Sequence, residues 1–192
     1  MNITLAISKI TSGLHLEENE MSEVMLDLLE GRATDAQIGA FLIALNMKGE
    51  TVQEVLGAAK IMRQLSAKVE VNKENLVDTC GTGGSGIGIF NVSTTAAFVA
   101  CACGARVAKH GNRSATRNSG SADLLEAAGV SLELNPSQVA DCIENVGLGF
   151  MFAPSHHSAM KHVIGPRKEI AHKSIFNILG PLTNPASTLN QV

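Results

Sequence analysis

Two rhythms of apolar residues divide the chain. Up to about residue 67, apolar positions recur three and four apart, the spacing of one helix face. Met21, Val24, Met25, Leu28 and Leu29 form one such stripe, with Gly31 as its stop. Thr34 can cap a second helix carrying Ile38, Phe41, Leu42 and Leu45, which ends near Gly49. Thr51 and Glu54 have capping-box spacing and open a third helix through Val55, Leu56, Ala59 and Met62. The pattern predicts an all-helical domain over residues 1–67, its Met-rich stripes turned to the core.

From residue 76 the rhythm alternates between short apolar runs and helical stretches. LVDTC reads as a buried strand and leads into a glycine loop. Ser93 can cap a helix from Thr94 to Cys103, with Gly104 as its stop. RVAKH reads as a strand, SADLLEAAG as a helix and SLEL as another strand. Asn135 and Pro136 open a helix closing near Gly147, and LGFMFAP follows as a strand. Such alternation predicts an α/β domain over residues 76–192, built on a mostly parallel sheet. SHHSAMKHV can be helical. The tail beyond it mixes apolar runs with three prolines and ends polar, so the sheet reads as unfinished.

Composition narrows the classes. The 192 residues carry 15 Lys and Arg against 18 Asp and Glu, a net charge of −3, which argues against a whole-chain nucleic-acid or membrane-surface role. There is no Trp or Tyr, and six Phe make no stacking platform for single strands. The N-terminus is amphipathic, without a signal-peptide core or a run of transmembrane length, so a cytoplasmic protein is expected. Cys80, Cys101, Cys103 and Cys142 make no disulfide framework; Cys101 and Cys103 form C-x-C in an apolar run and act as small hydrophobes.

The candidate chemistry sits after the first α/β strand. DTCGTGGSGIGIFNVSTT holds five glycines in eight residues: Gly81, Gly83, Gly84, Gly86 and Gly88. A strand–glycine loop–helix can turn backbone N–H groups and a helix N-terminus toward an anion. No Asp or Glu occurs from Thr79 through Ala122, while Arg106, Lys109, Arg113 and Arg117 give that stretch +4, leaving −7 for the rest. GTGGSG satisfies G-x-G-x-x-G, but its helix should open inside the glycine run, and the acid expected about 20 residues on is absent until Asp123. A Walker loop would need a lysine after the glycines. KHGNRSATRNSG lies at the C-terminal end of the next strand, where open α/β sheets bind ligands. His156, His157 and His162 lack the spacing that would put all three on one helix face as zinc ligands.

GTGG, NVST, KHGNR, FAPSHH, GPRKE and FNILGPLTNP occur in one order and at one spacing. In these the chain resembles the anthranilate phosphoribosyltransferases from its N-terminal helices to residue 192. The resemblance implies a small helical domain joined to an α/β domain of the nucleoside phosphorylase and phosphoribosyltransferase type, C-terminally truncated relative to the family. It implies transfer of phosphoribose from phosphoribosyl pyrophosphate to anthranilate, with Mg2+, in tryptophan biosynthesis. Carried onto this sequence, the donor would be held by Gly81, Gly84, Ser85, Asn91, Val92, Ser93 and Thr94. Lys109, His110, Gly111, Asn112, Arg113, Ser114, Ala115, Thr116, Arg117 and Ser121 would complete the donor site. Ser93 would touch the metal, and Gly81, Asn112 and Arg167 would hold anthranilate. The aromatic amine requires no strong base, so no catalytic residue is assigned. A homodimer through the helical domain is implied as well.

Departures from the family pattern are Ser85 where an acid is usual, Ile89 for a small hydroxyl residue, and Thr116 and Arg117 for two serines. The family's metal-holding Asp-Glu pair lies beyond residue 192. Two alternatives stand beside this reading. One is a non-catalytic binding protein, its cationic stretch open to nucleic acid. The other is a nucleoside phosphorylase, although Asp78, Thr79 and Cys80 stand where those enzymes usually carry a lysine.

Overall fold

The computed structural model describes residues 1–82, 90–114 and 119–192, and the chain forms two compact units. One unit comprises Met1–Ser66 and Ser158–Leu182; the other comprises Ala67–His157 and Thr183–Val192. In chain order the elements begin with α1 (Ile3–Thr11), α2 (Glu18–Leu29), α3 (Asp35–Lys48), α4 (Val52–Leu65), β1 (Leu76–Asp78), α5 (Val92–Ala102) and β2 (Arg106–Gly111). There follow α6 (Ser121–Ala127), α7 (Pro136–Val146), β3 (Leu148–Phe152), α8 (Ala153–His156), α9 (Lys161–Ile170), α10 (Phe176–Leu182) and β4 (Asn190–Gln191). No helix among the described residues is long and apolar enough to cross a membrane.

The first four helices of the helical unit form because each has both a cap and an apolar stripe. Asn2 Oδ1 accepts the Leu5 N–H at 2.9 Å, and Thr34 with Gln37 and Thr51 with Glu54 close reciprocal capping boxes. The first two stripes read from sequence are buried: Met21, Val24, Met25, Leu28 and Leu29 meet Ile38, Phe41, Leu42 and Leu45. On α4 the buried face is Ala58, Ala59, Ile61 and Met62, whereas Val55 is only partly buried and Leu56, expected in the stripe, is 41% exposed. Each such aliphatic side chain contributes about 1.5–3 kcal/mol on burial. α2 packs on α4 and α1 on α3; Val163 of α9 and Leu179 of α10 join the same core. The α2–α4 approach requires Gly57, where a Cβ would stand 2.4 Å from the Glu18 carbonyl oxygen.

The second unit holds a four-stranded parallel sheet in the order β3-β2-β1-β4. On one face Ala108 and Met151 pack with Val139 and Ile143 of α7. Phe150 packs instead with Ala122 and Leu125 of α6, and with Leu132. The strands β1, β2 and β3 end at Asp78, Gly111 and Phe152 on one edge of the sheet, because they run in parallel.

Three elements differ from the sequence reading. SLEL is no strand: Leu132 and Leu134 do point inward, but they pack into two different clusters along an extended connection that pairs with nothing in the sheet. α5 opens at Val92, with Asn91 rather than Ser93 in the cap position. The polar tail supplies β4, where Asn190 and Gln191 pair with Val77 and Asp78. It escaped notice because a two-residue polar edge strand has no apolar rhythm.

Candidate functional site

The end of β1, the start of α5 and the end of β2 converge around one ammonium group. Lys109 is 2% exposed. Its Nζ donates to Thr79 Oγ1 at 3.2 Å, to the Thr79 carbonyl at 3.4 Å and to Ser93 Oγ at 3.4 Å. Thr79 Oγ1 in turn donates to the Ser93 carbonyl at 2.8 Å, tying β1 to the first turn of α5. Among the described residues, the ammonium's hydrogen bonds go only to neutral oxygens. Burial pushes its pKa down, while the Cys80 thiol and the Asp78 carboxylate push it back up.

The starts of α5 and α6 lie side by side. Asn91 Nδ2 donates to Ser119 Oγ at 3.1 Å and to the Gly120 carbonyl at 3.2 Å, and Thr94 Oγ1 donates to Ser121 Oγ at 2.9 Å. Two helix N-termini held together, with a buried lysine beneath one of them, make a locally positive environment suited to an anion. Gly120 is required there, since a Cβ would sit 2.4 Å from the Ser114 nitrogen.

The charge count changes once the partners are known. Arg106 pairs with Glu144 and donates to the Asn72 carbonyl at 2.8 Å. Arg113 makes a two-pronged pair with Glu126, both bonds 2.7 Å, and reaches Asp123 at 3.1 Å. These carboxylates hold the Arg113 guanidinium well above its ordinary pKa, and it depresses theirs in return. Two of the four cations are thereby engaged on the protein itself. Lys109 remains the described cation of the stretch that faces neutral oxygen atoms, and Arg117 lies outside the described residues.

Asn112 Oδ1 accepts the Arg113 N–H at 2.7 Å, shaping the turn after β2. Gly111 continues the strand beneath Phe150, whose ring a Cβ would meet at 2.8 Å. The His110 ring lies 5.2 Å from that of His157, while His162 belongs to the helical unit beside Gly31. Arg167, on α9 of the helical unit, stands 5.0 Å over the Phe176 ring and is half-buried. Gly83, Gly84, Ser85, Gly86, Gly88 and Ile89, and Ala115, Thr116 and Arg117, lie outside the described residues.

Asp78 and Thr79 entered the sequence reading only as strand residues standing where a lysine is usual, with no role in the site, and Ser119 and Asn184 were given none. An acid closing a buried strand run was the signal available for Asp78. Among the described residues no group of three or more His, Cys, Asp or Glu could hold a metal ion. Ser93 offers one hydroxyl, which already accepts from an ammonium, so these residues do not build a resident metal centre by themselves.

Cys80 lies at the same strand end. Burial, then the nearby Asp78 charge, push its thiol up to about 12. Cys103 is exposed. Iodoacetamide near pH 8 should therefore alkylate Cys103 at least about a hundredfold faster than Cys80, because the thiolate is the reactive form. Equal labelling in peptide mapping would show that Cys80 is activated instead of silenced.

The comparisons with known proteins agree with this architecture. Residues 4–66 match the glycosyl transferase family's helical bundle domain and residues 73–192 its a/b domain. An anthranilate phosphoribosyltransferase of Ectopseudomonas mendocina is 60% identical over all of this chain, and one of Teredinibacter turnerae is 61% identical. The chain spans 55% and 56% of those relatives, about half their length. The crystal structure of the Thermus thermophilus enzyme superposes with a TM-score of 0.91 at 46% identity, over 97% of this chain and 57% of that one. A Saccharomyces cerevisiae anthranilate phosphoribosyltransferase in complex with PRPP and Mg gives 0.87 at 30% identity, over 95% of this chain and 55% of that one. With both of its domains matched in order, the chain belongs to the glycosyl transferase family.

Proposed function

We propose that the chain carries the donor-binding part of an anthranilate phosphoribosyltransferase, which moves phosphoribose from the magnesium complex of phosphoribosyl pyrophosphate to the amine of anthranilate. The observation that carries this reading is the buried Lys109 ammonium, bonded only to neutral oxygens, beside the paired starts of α5 and α6. The names of relatives at about 60% identity support it. Breaking the bond between ribose C1 and pyrophosphate builds charge on the leaving group, so positioning and charge neutralisation dominate.

In this reading Gly81, Asn91, Val92, Ser93, Thr94 and Ser121 supply N–H and hydroxyl groups to the phosphates, with Lys109 as their counter-charge. Gly84, Ser85 and the 115–117 segment are assigned to the same ligand on sequence grounds. The magnesium ion arrives with the donor, and Ser93 is its proposed contact. His110, Gly111, Asn112 and Ser114 line the donor and ribose side. Arg113 contributes through its backbone, since its guanidinium is engaged with Glu126. Asn112, Gly81 and Arg167 are assigned to anthranilate, Arg167 because a half-buried guanidinium stacked on Phe176 is a ready carboxylate partner. A homodimer through the helical unit is proposed too: Leu14, Met47 and Val52 are 57%, 83% and 81% exposed there. A cytoplasmic location accords with these small-molecule substrates.

Phosphoribosyl pyrophosphate with magnesium should raise the melting temperature of the chain, by the equivalent of about 2.7 kcal/mol at a hundred times Kd. Lys109→Ala should abolish most of that rise. An unchanged shift in the variant would remove Lys109 from the site and the proposal's main support with it.

A further inference from the structure

Asp78 is fully buried at the C-terminal end of β1. Its Oδ1 accepts the Cys80 N–H at 3.0 Å and the His110 N–H at 3.1 Å. The carboxylate also bonds the Asn184 side chain, and Gln191 Nε2 faces its Oδ2 at 3.4 Å. Asn184 is itself locked, donating to the Ala108 carbonyl at 2.9 Å and accepting the Ala186 N–H at 2.8 Å. Four donors converge on one side chain, an arrangement that favours the ionised carboxylate, while burial, the larger effect, pulls its pKa above the ordinary value. The two backbone bonds clamp the entry of the glycine loop to the residue after Lys109, joining the two stretches that flank α5 just beyond the last residues that β1 pairs with β2.

We propose that Asp78 is a positioning residue of the anion site, acting through Lys109 and the entry of the glycine loop while touching no ligand itself. This rests on the reading of Lys109 as the donor's counter-charge. A carboxylate one residue away across the paired strands β1 and β2 gives the buried ammonium its compensating charge, and the clamp at Cys80 and His110 holds that ammonium against Thr79 and Ser93.

The test is calorimetric titration of the 192-residue chain with magnesium phosphoribosyl pyrophosphate, in the parent, Asp78→Asn, Lys109→Met and the double variant. Asp78→Asn is isosteric and should weaken binding about tenfold or more, as loss of charged hydrogen bonds does. If Asp78 acts through Lys109, the double variant should lose much less than the product of the two single losses. Ile143→Val, in the core beneath the sheet, should lower stability and leave Kd within about twofold. Asn184→Ala gives a second route should Asp78→Asn fail to fold: it strips one donor from the carboxylate and should weaken binding several-fold, about threefold or more. Parent-like Kd values in Asp78→Asn or Asn184→Ala, or losses that multiply in the double variant, would overturn the proposal. If the parent binds no donor, the phosphoribosyl reading falls and this inference falls with it; if the parent binds and Asp78→Asn binds equally, this inference alone falls.

Discussion

Replacing Glu54 by Ala should remove about 3–5 kcal/mol from the stability of the helical unit. The carboxylate is fully buried and pairs with Lys48 Nζ at 2.9 Å, whose side chain is 6% exposed. It also accepts the Leu16 N–H at 2.9 Å, the Thr51 N–H at 2.7 Å and the Thr51 hydroxyl at 3.0 Å. Burial alone would raise its pKa; the bonds from Leu16, Lys48 and Thr51 outweigh that and hold it below the ordinary carboxylate value. Alanine leaves the Leu16 N–H without its acceptor and the Lys48 ammonium without its counter-charge, left with the Gly49 carbonyl at 2.7 Å and the His15 ring at 2.9 Å, the costly way to break such a pair. Glu54→Gln keeps one acceptor oxygen for Leu16 but sets an NH2 group against the Lys48 and Thr51 donors, so it should recover only part of the loss. Urea unfolding followed by helical circular dichroism gives the order. A loss below about 1 kcal/mol for Glu54→Ala, the scale of an exposed ion pair, would show that the network contributes little.

Glu54 also marks how far the sequence could be read. Its capping box with Thr51 was legible because caps are local, three residues apart. Its bond to Leu16, 38 residues away, left no trace in the sequence. The stripes of α2 and α3 emerged correctly for the same reason as the cap: periodicity is a local property tied to one face. On α4 the face is turned toward Ala58 and Ile61, which leaves Leu56 outside. SLEL failed because alternation predicts which side chains turn inward, not whether a neighbouring strand is present to pair with. Near the site, Lys109 stood out as a basic strand end after a glycine loop and the start of α6 fell at Ser121 as read, whereas α5 opens two residues earlier than its hydroxyl pattern indicated. The engagement of Arg113 by Glu126 and Asp123 was not, because those acids lie beyond the acid-free stretch and return to it only through the fold. Asp78 was read as part of a buried strand and given no role, since the four donors around it come from residues 80, 110, 184 and 191, which meet only in the fold.

Acid should weaken the sheet-containing unit through its histidines, between pH 6.5 and about 4. His156 and His157 are 2% and 5% exposed. His156 is pinned in both directions to Ala67: its carbonyl accepts the Ala67 N–H at 2.8 Å, and Nδ1 donates to the Ala67 carbonyl at 3.0 Å. Among the described residues, Nε2 of each ring is buried without a hydrogen-bond partner. Burial, and then the neighbouring His156, push His157 down to about 4 from the ordinary 6.5. Burial moves His156 in the same direction. Below pH 6.5 the unfolded chain therefore takes up protons that the folded one refuses, so stability falls as pH falls and is fully regained above 6.5. For His157 the gap corresponds to about 3 kcal/mol by pH 4. His157→Leu removes that titration and keeps an apolar filling beside His110. Subtracting its unfolding free energy from that of the parent cancels the Asp and Glu protonation common to both. The difference should shift steadily in the variant's favour between pH 7 and pH 4.5. A flat difference across that range would mean that His157 is protonated in the fold as readily as in water.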